Sequence, residues 1–179
     1  MKKWRGVLSL LLPVLVLGAC VTKTTYKVEP SEPGSTLLIG QINLDFTGFP
    51  NDYQINGPHG KGLLLRFVDE YGNRTSVTAY GKEALFGFEA SADSYVLSSI
   101  EFSNDRVSAT IDMNWACDIT SGQVNNLGMV EGVWQAANNT LNLAPSGGHD
   151  ALKKYFIERY PESGWNGATW TKVGFYAGR

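Results

Sequence analysis

Two cysteines and two histidines are the side chains of this 179-residue sequence best suited to nucleophilic or metal chemistry. Cys20 follows Leu17-Gly18-Ala19, a small-residue exit from an apolar run, and a cysteine thiolate is a nucleophile. Cys117 shares parity with Ile111, Met113 and Trp115 and reads as a buried structural thiol, because a reactive one needs a cationic, exposed setting. His59 lies in the loop Gly57-Pro58-His59-Gly60, and His149 lies beside an expected helix start. Both read as solvent-facing loop residues; the alternative is a metal pair formed where two distant loops meet. His-Glu-x-x-His, Gly-x-Ser-x-Gly and Cys-x-x-Cys are all absent from the sequence. Carboxylates are scattered, with Asp69-Glu70 at a turn and Asp112 on the wet face of a strand. A glycosidase-like pair needs two carboxyls about 5–10 Å apart in a cleft. The expectation is a protein without catalytic residues, metal or cofactor.

Binding is better served than catalysis. Residues 48–61 form a long connection, Phe49-Pro50-Asn51-Asp52-Tyr53-Gln54-Ile55-Asn56-Gly57-Pro58-His59. Long ordered loops often carry function. Tyr53 and His59 are the candidate recognition residues there, against the plainer reading that the loop covers an open end of the fold. Trp165 and Trp170 have the aromatic area to stack on sugars or to fix a helix against a sheet, and packing is the favoured reading.

The leader explains why Cys20 stands where it does. Met1-Lys2-Lys3-Trp4-Arg5 is a basic head, and Gly6 to Leu17 is an apolar run broken only by Ser9 and Pro13. That run is shorter than the roughly 20 residues of a membrane-spanning helix, and the pattern is secretory. With Leu17, Gly18, Ala19 and Cys20 at its exit, the leader resembles a bacterial lipoprotein signal. The resemblance implies a signal peptide over residues 1–19 and attachment of a diacylglyceryl group to the Cys20 thiolate. Two or more acyl chains anchor stably where one does not, so membrane lipid held through acylated Cys20 becomes the first expected partner. Val21, not aspartate, follows the cysteine; by the enteric rule this favours the outer membrane over the inner.

The rest of the composition fits an exported domain. Removing Lys2, Lys3 and Arg5 leaves 12 basic against 17 acidic residues, net −5, which gives no basic patch for nucleic acid. Residues 20–179 suffice for one domain; near 150 residues a fold buries roughly 68–70% of its unfolded surface. Once Cys20 is acylated, Cys117 has no disulfide partner. Residues 20–35, rich in Thr, Ser and Pro, read as a flexible tether with a span of about 20 Å, or roughly 50 Å extended. The folded domain is expected over residues 36–179.

From Thr36 the pattern is mainly β. Leu38, Gly40, Ile42, Leu44 and Phe46 share one parity, and Leu63, Leu65 and Phe67 share another. Tyr71-Gly72-Asn73 marks a hairpin turn between Lys61–Val68 and Arg74–Tyr80. Phe86 and Phe88 share a face over Ala84–Glu89, and Val96, Ile100 and Phe102 are read in phase over Ser94–Phe102. Val107 to Trp115 alternates strictly, which predicts a strand with one wet face. Gly128–Trp134 and Thr140–Leu143 predict a final pair across Asn138-Asn139. Strands at this spacing suggest an antiparallel sandwich. One helix follows Gly147-Gly148: Ala151, Leu152, Tyr155, Phe156 and Tyr160 supply its apolar stripe, Asp150 its cap and Pro161 its stop. It is expected on one face or one end of the sandwich.

Three stretches resemble a known family. Leu38-Ile39-Gly40-Gln41-Ile42 followed by Gly62-Leu63-Leu64-Leu65, and Lys82-Glu83-Ala84-Leu85-Phe86-Gly87-Phe88 followed by Ser94-Tyr95-Val96-Leu97, are similar to the transthyretin-like sandwich of carboxypeptidase regulatory domains. Ser94 stands where that pattern has glycine. Gln123-Val124-Asn125-Asn126-Leu127-Gly128, with Phe156, Tyr160-Pro161, Ser163 and Trp165, is similar to the C-terminal half of bacterial lipoproteins carrying such a sandwich. The resemblance implies a transthyretin-like antiparallel β-sandwich with one C-terminal helix, and it transfers no catalytic residues. The function it implies is a membrane-anchored, non-enzymatic module for binding, adhesion or scaffolding, with an envelope or host partner. The alternative is a carbohydrate-binding or glycan-acting protein of the envelope.

Overall fold

Alternating side chains give most strands of this chain one apolar face, and such faces must be buried against one another. The computed structural model describes residues 22–24, 29–45, 63–80, 83–103, 108–135, 137 and 140–178. Its strands are β1 (Thr22–Thr24), β2 (Leu37–Asp45), β3 (Leu63–Asp69), β4 (Arg74–Ala79), β5 (Glu83–Glu89), β6 (Ser94–Ser103), β7 (Ser108–Asp118), β8 (Val124–Gln135), β9 (Thr140–Gly147), β10 (Trp170–Lys172) and β11 (Tyr176–Ala177). Helix α1 spans His149–Arg159, and a 3-10 turn spans Gly164–Gly167. One sheet has the order β1-β4-β3-β6-β7-β11. The other has β10-β8-β2-β5, with β9 paired to β8.

The two sheets share one core. Leu38, Ile42 and Leu44 of β2 and Phe86 and Phe88 of β5 meet Leu65 and Phe67 of β3 and Tyr95 and Leu97 of β6. Phe88 is the aromatic centre, 5.1 Å from the Phe67 ring and 5.2 Å from that of Tyr95. The expected hairpin is present, closed by Asp69, whose carboxylate accepts from Tyr71 N (2.9 Å) and Asn73 N (2.8 Å).

Two expectations are corrected. The sheets are mixed rather than wholly antiparallel: β2 pairs parallel with β8, β8 with β10, and β1 with β4. Val96 does not share a face with Ile100. Register shifts after Leu97 admit Ser98 as an extra residue against β3, so Tyr95, Leu97 and Ile100 point inward. Some residues within the span 20–35 contact the body. Thr22–Thr24 pair with β4, Ser31 N and Oγ donate to the Glu89 carboxylate (2.5 and 2.6 Å), and Gly164 N donates to Glu29 (2.8 Å).

Helix α1 covers the outer face of the second sheet. Leu37 and Ile39 of β2 and Val124 of β8 point there, and Phe156 and Trp165 bury them. The stripe is narrower than expected: Leu152 and Phe156 are buried, while Ala151 is exposed. Asp150 is not the cap. Gly148 holds that position at φ +69°, and Asp150 lies in the first turn, 2.8 Å from Lys172 Nζ. Ser163 then caps the 3-10 turn, its Oγ accepting from Trp165 N at 3.3 Å.

Gly40 lies beneath the Phe86 ring, opposite which it pairs in the β2–β5 ladder, and a Cβ there would collide with the ring. Gly40→Ala is expected to cost about 1–3 kcal/mol in urea unfolding. Phe86→Leu in the same chain should restore part of the loss, and an equal loss in the double variant would refute this contact as the cause.

Candidate binding site

A polar row crosses the outer face of the six-stranded sheet. With Leu65 and Phe67 turned inward, alternation turns Arg66 and Val68 outward. Pairing sets Ser76 of β4 opposite Arg66, Arg66 opposite Ser99 of β6, and Ser99 opposite Asp112 of β7. Arg74 pairs opposite Val68. These residues, with Ser98, border a cavity of about 300 Å³. Ser98, the extra residue of β6, donates its hydroxyl to the Arg66 carbonyl at 3.0 Å and so pins the bulge beside the cavity.

The donors of this row differ in commitment. Arg66 Nη2 lies 2.7 Å from Glu101 Oε2. A bridge this exposed contributes at most about 1 kcal/mol to stability, yet it occupies one edge of the guanidinium. Ser76 and Ser99 are only 3% and 8% exposed. Among the described residues, neither hydroxyl, nor the Arg74 guanidinium, nor the Asp112 carboxylate has a side-chain hydrogen bond or ion pair. The row therefore offers free donors at the β4 end and a free acceptor at the β7 end.

The candidates read from sequence fall elsewhere. Leu17, Gly18, Ala19, Cys20, Tyr53 and His59, and the loop 48–61, lie outside the described residues. Trp165 is 2% exposed within the cluster beneath α1, and Trp170 stacks 5.4 Å from Phe156 and donates Nε1 to the Trp165 carbonyl at 3.1 Å. Both tryptophans fasten the helix to the sheet. His149 is not a free loop residue: Nε2 lies 3.0 Å from the Val173 carbonyl, so that nitrogen carries a proton, and its own carbonyl accepts from Asn126 Nδ2 at 2.8 Å. Glu70 closes the β5–β6 turn by accepting from Asp93 N (3.0 Å) and Ser94 N (2.8 Å), and the Asp93 bond is the main cause of its lowered pKa. Asp69 and Glu70 thus serve turns. Among the described residues, no group of three or more His, Cys, Asp or Glu could hold a metal ion.

Sequence reasoning passed over Arg66, Arg74, Ser76 and Ser99. Their alternation was visible, but the register that aligns them across strands was not. No family model, curated protein or solved structure matches this chain.

Cys117 is fully buried, and burial, followed by the neighbouring Asp118 charge, pushes its thiol up to about 12. The folded thiol therefore stays neutral where the unfolded one ionises. Its contribution to stability is complete below about pH 9 and is lost as pH rises toward 12. The stability of the wild type relative to Cys117→Ala should fall by about 1 kcal/mol per pH unit above pH ~9. Denaturant curves across that range provide the check, and a flat difference would refute it.

Proposed function

We propose that this chain is an envelope lipoprotein, held in the membrane by acyl chains on Cys20, whose β domain is a non-enzymatic binding module. The observation that carries the reading is Leu17-Gly18-Ala19-Cys20 at the exit of a short apolar run with a basic head. Val21 favours the outer membrane, and the partner is an envelope or host component. The sandwich is of the transthyretin-like kind. Support for this comes from Leu38 pairing with Phe88 and Gly40 with Phe86, which sets the two resembling stretches side by side. Contacts from Thr22–Thr24 and from Glu29 and Ser31 to the body shorten the span between lipid and domain, so the domain rides close to the bilayer.

Adhesion, scaffolding and ligand binding make different demands on the surface. A cavity bordered by two arginines, three serines and Asp112, alongside Phe67 and Val68, supports recognition of a small polar ligand, which brings the carbohydrate-binding alternative forward. Cys20→Ala should move the protein from the membrane pellet to the soluble fraction and abolish incorporation of radiolabelled fatty acid. The circular dichroism of the domain should be unchanged. Membrane retention of the unlabelled variant would overturn the anchor.

A further inference from the structure

We propose that the outer face of the six-stranded sheet binds an acidic saccharide, with a uronate carboxylate at Arg74 and sugar hydroxyls at Ser76, Ser99 and Asp112. This rests on the reading of the domain as a binding module and names its ligand class. Among the described residues no carboxylate pairs with Arg74, whereas Arg66 is held by Glu101. A guanidinium presents two parallel donors that match a carboxylate. Ser76 and Ser99 each supply a hydroxyl that both donates and accepts, which suits the hydroxyls of a sugar ring.

The order of the row sets the ligand's shape. Ser76, Arg66, Ser99 and Asp112 come from β4, β3, β6 and β7 in turn. With neighbouring strands about 4.8 Å apart, Asp112 stands roughly 14 Å from the β4 end. A single small anion cannot use both ends, and Asp112 would repel one placed beside it. A disaccharide can span the row, its acid at the cationic end and its vicinal hydroxyls donating to the Asp112 carboxylate. The cavity, about 300 Å³, lies at the lower end of the range for ligand pockets. Phe67 and Val68 also line it.

The test is titration calorimetry on the detergent-solubilised full-length chain. Three probes are used: a glucuronosyl-galactose disaccharide, which carries a single carboxylate, its methyl ester and inorganic phosphate. The glucuronosyl-galactose disaccharide should bind, and added salt should weaken it. The ester should bind at least about tenfold more weakly, because a charge-assisted pair is lost. Arg74→Ala should produce a similar loss, and Asp112→Ala a smaller one of about three- to tenfold. Both side chains are exposed, so circular dichroism should be unchanged. No binding of the glucuronosyl-galactose disaccharide, equal binding of the ester, or insensitivity to Arg74→Ala would overturn the proposal. Displacement of the disaccharide by equimolar phosphate would also overturn it, since phosphate carries charge without sugar hydroxyls. A different glycan bound with wild-type affinity by Arg74→Ala would remove this site while leaving the binding-module reading intact.

Discussion

Strand β2 must be buried on both faces, and the rest of the molecule answers that requirement. Leu37, Leu38 and Ile39 follow one another in sequence and are all fully buried, so no single apolar layer can cover them. Leu38 and the even positions after it face the shared core. Leu37 and Ile39 face outward, where only a second layer can take them from water. Helix α1, the 3-10 turn and Trp165 are that layer. A strand covered on both sides also tolerates parallel pairing, the arrangement usual for sheets with two covered faces, and β2 pairs parallel with β8.

Joining a helix layer to a sheet brings backbone polar groups into the interior, and two asparagines satisfy them. Asn125, fully buried, accepts from Thr120 N (2.7 Å) and donates to the Thr120 and Gln123 carbonyls (2.9 and 3.2 Å), holding the β7–β8 turn. Asn126 donates to His149 O and accepts from Gly128 N (both 2.8 Å), tying β8 to the start of α1. Gly128, at φ +72°, lies against the Gly147 carbonyl where any side chain would collide. Buried amides with full hydrogen bonding specify one geometry, because each alternative leaves a polar group unpaired in a medium of low dielectric. The run Gln123–Gly128 owes its composition to this junction.

Local patterns were legible wherever period-2 alternation ran unbroken. The inward positions of β3, β5 and β7, the Tyr71-Gly72-Asn73 turn and the helix after Gly147-Gly148 could all be read directly. Two kinds of information were not. The extra residue at Ser98 leaves no mark in composition, yet it reverses parity for the rest of β6 and hides Leu97 from a simple count. Pairing between distant strands is invisible in a single chain, so β8 looked like half of a hairpin with β9 when it also runs beside β2 and β10. The Arg66–Ser99–Asp112 row was missed for the same reason: each residue is ordinary alone, and only register makes them neighbours.

The position of β2 also sets how the domain carries load. Residues 29–36 lead directly into β2, so tension applied to the N-terminal segment acts along that strand's axis. β2 is bonded on both sides, to β5 and to β8, over most of its nine residues. Hydrogen bonds pulled this way are sheared together rather than unzipped one at a time. The contacts of Glu29 and Ser31 with Gly164 and Glu89 lie ahead of the strand. Tension on the N-terminal segment therefore meets these side-chain contacts before it reaches a central strand loaded in shear.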